Sequence, residues 1–266
     1  MGRHRGPTSM ARSGPPRGRA RRRAVPDPPV ALARRVVDRF GGRFSTELGI
    51  DVDAGDAEVE RWFVAATLFG TRISTTLAER AFGVLDGAGL RRIADAAQFS
   101  WDGLVALLDA GGYARYDFRT ASRLHALAAA VTEGAGGSVT AFGSRHSSYR
   151  ELRDALDDLP GWGPITVGLF LRELRTVWPG AVPPLDARAE EAARHLRLYV
   201  AAAGRDPLGA IARLSDEAGL DARDVEGGLV RLWLAHRHAM AGCPGGAACT
   251  GLAPAVGHHG PQVVGS

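Results

Sequence analysis

Residues 159–164 read Leu-Pro-Gly-Trp-Gly-Pro, and the apolar run Val167-Gly168-Leu169-Phe170-Leu171 follows almost at once. No helix passes unbroken through such a stretch. Pro160 and Pro164 have no N–H to donate, and the two glycines remove the steric bias that keeps a chain helical. Pro164 is well placed to open a new helix, because its missing N–H has no intrahelical partner there and its φ is already set. Upstream, Ser148-Tyr149-Arg150-Glu151 has the S-x-x-E form of a capping box, which predicts a short helix over about 149–156. Two helices must therefore meet at a sharp reversal.

The rest of the chain reads the same way. Helical periodicity predicts helices over 30–40, 61–69, 74–85, 90–97 and 101–110, with Gly111-Gly112 closing the last. Asp117 is placed to cap a helix with Phe118, Ala121, Leu124, Ala128 and Val131 on one face. Further helices are predicted from Pro164 to about 176, 187 to 199, 207–218 and 222–239. Residues 41–56 read as a loop and 131–144 as a flexible connection. Alternating strand patterns are scarce, so the predicted class is all-α, with short helices joined by tight turns.

Composition removes several chemistries. All 33 basic residues are arginine. A Schiff-base lysine and the lysine of a phosphate-binding P-loop are therefore excluded. Cys243 and Cys249 are the only cysteines, too few for a disulfide framework. No apolar run approaches the roughly 18 residues that span a bilayer, and no membrane partner is expected. Eight arginines and no acidic residue fall in residues 1–26, leaving 25 arginines against 29 acidic residues beyond them. The expected picture is a disordered basic tail over 1–26 on a mildly acidic, cytoplasmic, monomeric protein.

By its residues alone the reversal has two readings. With Gly161 and Gly163 at positive φ, the free N–H groups of the turn and of the new helix would face outward and bind a phosphate of a DNA backbone. The other reading is an ordinary packed corner.

LPGWGPITVGLFLREL resembles the helix-hairpin-helix of the endonuclease III-like DNA glycosylase superfamily, whose hairpins read L-P-G-x-G-x-x-T. Leu159, Pro160, Gly161, Gly163 and Thr166 match. RWFVAATLFGTRIST (61–75) is similar to the family's early helix and turn. LLDAGGYARYDFRTASRLHALA (107–128) is similar to the segment preceding the hairpin. The resemblance covers about residues 55–200. It implies two helical lobes: a barrel over 55–176 carrying the hairpin element at 149–176, and a terminal lobe from 27–54 and 177–240, with 241–266 a disordered tail. It implies double-stranded DNA as partner, contacted by Leu159, Gly161, Trp162, Gly163, Ile165 and Thr166. Arg72, in the turn Phe69-Gly70-Thr71-Arg72, would fill the gap left by a flipped base.

The resemblance also implies a catalytic carboxylate. Asp186, in PPLDARAEEAARHL, stands where the family places one at the start of a helix. Breaking an N-glycosidic bond develops positive charge on the sugar, which a carboxylate stabilises while it orients water. Read by itself, Asp186 is a helix N-cap, and the two roles are compatible. Relatives with strand-cleaving activity carry a lysine at the position of Ile165, so the implied activity is monofunctional base excision, nucleoid-associated. The acidic residue of adenine-mismatch enzymes corresponds to Ala65. Many relatives bind a four-iron cluster through four cysteines; with Cys243 and Cys249 alone, none is expected here. His236 and His238 with the two cysteines offer the donors of a zinc site, but their H-x-H-x4-C-x5-C spacing is irregular; no metal is expected, and zinc there stays an open alternative.

Among Trp62, Trp101, Tyr113, Tyr116 and Trp162, the expected stacking residues of a base pocket are Tyr113 and Trp162. Arg72, Arg115, Arg119, Arg145, Arg150 and Arg153 are expected around one cleft. The alternatives are a non-catalytic DNA-binding protein that keeps the hairpin, and a helical interaction domain with no nucleic-acid role.

Overall fold

A computed structural model describes residues 1–2, 28–70, 74–199 and 205–253. The expected basic tail, Arg72 and the last thirteen residues lie essentially outside them. The described residues are helical and contain no strand. The first half holds α1 (Pro29–Phe40), α2 (Phe44–Glu47), α3 (Asp56–Phe69), α4 (Thr75–Gly87), α5 (Trp101–Ala110), α6 (Asp117–Ala135) and α7 (Val139–Ser144). Then follow α8 (Tyr149–Asp157), α9 (Pro164–Glu173), α10 (Ala187–Leu196), α11 (Pro207–Ala218) and α12 (Ala222–His236). None is long and apolar enough to cross a membrane.

Side-chain caps set many of the boundaries. Ser74, Ser100, Ser138 and Ser148 each accept a hydrogen bond from the backbone N–H three residues on. Asp206 does the same for α11, and Asp186 and Asp221 accept from the N–H two residues on at the starts of α10 and α12. Each such cap stabilises its helix by about 1 kcal/mol.

The apolar side chains form two cores. The first gathers residues of 44–181 around α3, which is buried on nearly every side, as expected of a helix that is apolar all round. The second joins α1 to α10, α11, α12 and the segment after them. Several expectations are corrected here. Phe44, Ile50, Val52, Trp178 and Ala181 pack in the first core and not in a terminal lobe. Residues 41–56 include α2, whose first amides are satisfied from afar: Glu173 accepts hydrogen bonds from Phe44 N and Ser45 N at 2.9 Å each. The connection 131–144 is helical for most of its length. Phe118 points outward and meets Trp101 at the surface. Residues 241–253 make 3-10 turns that bury Cys249 and Leu252, in place of a disordered tail.

An ionic hub links the two cores. Arg223, buried at the start of α12, donates to both oxygens of Asp53 (3.0 and 2.7 Å), to Asp221 and to the Glu173 carbonyl. Arg43 adds a bond to Asp53 and one to Asp224. Arg223, with help from Arg43 and Thr176, holds the Asp53 carboxyl far below its ordinary value. Burial pushes Asp221 up, but Arg223 outweighs it and the net shift is downward. A carboxyl whose folded pKa is depressed stabilises the fold above its unfolded pKa, about 3.9, and loses that contribution as pH falls further. The melting temperature should therefore drop as pH is lowered from about 4 towards 2. Asp53→Asn should melt lower at neutral pH and show a shallower acid slope in the same titration. An unchanged slope would refute the assignment.

Candidate active site

α8 ends at Asp157 and the chain reverses over Asp158–Gly163. The turn is closed by Leu159 N to Leu156 O (3.2 Å) and Trp162 N to Leu159 O (3.0 Å). Gly161 has φ +75°, as the reversal requires. Gly163 does not: its φ of −160° is extended backbone that any residue adopts, a correction to the expected pair of positive-φ glycines. Pro164 opens α9 as the sequence predicts.

The side chains of the hairpin divide into two sets. Leu159, Trp162 and Thr166 turn inward and are buried. The Trp162 ring stacks on Phe63 with centroids 4.3 Å apart and meets Phe170 edge-on, while its Nε1 donates to Thr67 Oγ1 at 3.1 Å. Trp162 therefore anchors the hairpin to α3 with its ring in the core, where an outward-facing stacking residue was expected. Thr166 packs so tightly on Gly70 that a Cβ there would strike its hydroxyl. Its side chain fixes the end of α3 and is turned away from the surface. Tyr113 is corrected likewise: it is fully buried, with its hydroxyl donating to Leu68 O at 3.0 Å. In each case an indole N–H or hydroxyl finds a buried acceptor, which lets a large ring stay in the core. Gly161, Gly163 and Ile165 remain at the surface, Ile165 at 65% exposure.

The outward face of the turn meets α6. Arg123 donates to Gly161 O at 3.3 Å, and burial holds its guanidinium pKa below the usual value. Arg119, Arg123, Tyr116, Pro160 and Gly161 border one depression. Arg115 lies on the adjoining surface beside Arg119. The other expected arginines do not join them: Arg145 donates to Gly134 O, Arg153 pairs with Asp154, and Arg150 is exposed without lining this depression. A Cβ on Gly161 would run into the Arg123 side chain. Gly161→Ala should therefore cost about 1–2 kcal/mol, from the left-handed backbone and the displaced arginine. Thermal melting checks this, and an unchanged melting temperature would show that the turn relaxes freely.

Asp186 lines a cleft of about 460 Å³ together with the start of α9. Pro164, Ile165, Gly168, Arg172, Asp186 and Arg188 are among its lining residues. Asp186 Oδ1 accepts from Arg188 N and Nε, both at 2.9 Å; Oδ2 accepts from Arg188 Nη2 at 2.6 Å and Arg172 Nη1 at 3.5 Å. Burial opposes the charged form, but Arg188 and then Arg172 outweigh it, so the carboxyl pKa lies below its ordinary value and the group is ionised at neutral pH. The backbone is held as firmly. Asp186 N donates to Glu226 Oε1 at 2.9 Å, buried Glu226 pairs with Arg175, and Arg175 reaches the carbonyls of Pro183 and Pro184.

The cleft continues past Arg172, Arg188 and Ile165 into a second hollow floored by Phe44, Phe69 and Gly70. Gly70 in turn borders the depression at the hairpin. Gly70 is thus common to the depression at the hairpin and to the hollow that shares Arg172, Arg188 and Ile165 with the Asp186 cleft. Sequence reading missed Arg172, Arg175, Arg188 and Glu226. One signal was available: Leu-Asp-Ala-Arg occurs twice, at 185–188 and 220–223. In both copies the aspartate caps a helix and the arginine two residues on folds back onto it. The second copy is tied into the ionic hub, whereas the first opens onto the cleft.

No known family model matches this chain, and no curated protein matches its sequence.

Proposed function

We propose that this protein is a monofunctional DNA glycosylase of the endonuclease III-like kind, which hydrolyses the N-glycosidic bond of a damaged or mismatched base in duplex DNA. The observation that carries the reading is the ionised Asp186 carboxylate in a cleft that it lines together with the start of α9, the second helix of the hairpin. In this reading the Pro160–Ile165 face, with Arg119 and Arg123 beside it, takes the phosphate backbone of a helix-hairpin-helix complex. The hairpin positions the strand and reads no bases. Asp186 stabilises the positive charge that develops on the sugar as the base departs, and orients the incoming water.

Arg188 has a part in this chemistry. Its fork occupies both carboxylate oxygens, so one of them must be freed when the nucleotide enters. A phosphate of the bound strand competes for the same guanidinium. With no lysine in the chain, the product is an abasic site in an intact strand.

The experiment is base release from duplexes carrying uracil, alkylated purines, oxidised bases or mismatches, with abasic sites revealed by hot alkali. Release from one class without strand cleavage before alkali supports the reading. The second reading, a DNA-binding protein without catalysis, draws on the closed Asp186–Arg188 pair. Salt-dependent DNA binding with every duplex left intact would favour it.

A further inference from the structure

The last turn of α10, the end of α12 and the segment after it converge on four potential metal ligands. His195, His236, Cys243 and Cys249 each bring a ligand atom to within 4.8 Å of all the others. The sequence spacing pointed to His238, but His238 is exposed and engaged by Arg237. The fourth ligand comes instead from His195, forty-one positions before His236, and only the fold unites them.

We propose that these four residues form a structural zinc site. A tetrahedral ion with Zn–N of about 2.0–2.1 Å and Zn–S of about 2.3 Å separates its ligands by roughly 3.3–3.8 Å, so the cage has to contract only slightly. A multi-iron cluster, whose ligands sit on different irons, needs a wider cage. The donor set fits too: two thiolates and two neutral imidazoles balance a divalent cation, leaving no net charge in a half-buried site.

Two independent observations point to a ligand. Nε2 of His195 and Nε2 of His236 are both buried and have no hydrogen-bond partner, and His236 is 6% exposed. A buried imidazole nitrogen without a partner carries an uncompensated desolvation cost, which coordination removes. Around Cys243, the Thr250 N–H donates to Sγ at 3.2 Å, the kind of outer bond that orients a thiolate ligand. The connecting loop is built around the same point. Gly245, at φ +67°, lies so close to the His195 carbonyl that a Cβ would clash, and Arg197 Nη2 holds the Pro244 carbonyl at 3.1 Å. The site would fasten the 3-10 turns of 240–252 to α10 and α12, adding to the burial of Cys249 and Leu252.

The test is elemental analysis of the full-length protein, purified without a histidine tag, with replacement of the metal by cobalt. About one zinc per chain is expected. The cobalt form should show tetrahedral d–d bands and a thiolate charge-transfer band. Cys243→Ser and the half-buried His195→Ala should each weaken zinc binding at least about a hundredfold, whereas His238→Ala should bind as wild type. Because the cobalt spectrum is read on the wild-type chain, the outcome does not depend on the variants folding. Metal-free protein with two reactive thiols, a Cys243–Cys249 disulfide, or iron with acid-labile sulfide would each overturn the proposal.

Discussion

Asp186→Asn should reduce single-turnover base release by about a thousandfold while leaving the protein folded and bound to DNA. Asparagine caps a helix about as well as aspartate, and its amide oxygen can still accept from Arg188 N, so α10 keeps its start. The change removes the negative charge facing the reacting sugar. Binding should be equal or tighter, since one negative charge leaves the cleft and Arg188 is released towards phosphate. The repeated motif supplies a control: Asp221→Asn alters the same local structure in the ionic hub, away from the cleft. It should lower the melting temperature and leave the rate per folded molecule unchanged. Rates at wild-type level in Asp186→Asn would remove the carboxylate from the mechanism and return Asp186 to the role of a cap.

Arg223→Met should destabilise the protein by about 1–3 kcal/mol, because the buried Glu173 carbonyl loses its donor while the two carboxylates left behind are partly solvated. Against a typical total of about 5–15 kcal/mol, that is a large fraction. The reason is the number of groups that depend on one guanidinium: two Asp53 oxygens, Asp221 and the Glu173 carbonyl. Arg43 retains a hold on Asp53, but Asp221 loses its buried counter-ion. Arg223→Lys should rescue little, because an ammonium cannot serve these acceptors with the geometry of a planar fork. Urea unfolding of the three proteins decides the matter, and a loss under 1 kcal/mol for Arg223→Met would show that the hub is dispensable.

Local chemistry was legible in the sequence. Ser148, Pro164 and Asp186 begin helices where capping and proline geometry say they must, and the bounds of α11 match its periodicity. Features supplied from a distance were not. α2 has no local cap, because its cap is Glu173. Trp162 and Tyr113 are amphipathic rings that suit a pocket or a core equally well, and the acceptors that settle them inside, Thr67 Oγ1 and Leu68 O, belong to α3. The same holds for His195, whose proximity to Cys243 and Cys249 depends on how α10 packs against α12. The candidate carboxylate was visible because it caps a helix, but its arginine partners were not, since Arg172 reaches it from α9.

The place of α1 has a consequence for the order in which the protein is made. Its buried face, Leu32, Ala33 and Val36, packs on helices that begin at Pro207 and Ala222. At about 5–20 residues per second, a ribosome delivers those partners roughly ten to thirty seconds after α1 has been synthesised. In that interval residues 44–181 can complete their own core. The α1 segment meanwhile lacks the surface that buries its apolar stripe, and a lone twelve-residue helix is marginal in water until that surface arrives. Refolding of the finished chain from denaturant carries no such delay, so newly made and refolded protein reach the same structure through different intermediates.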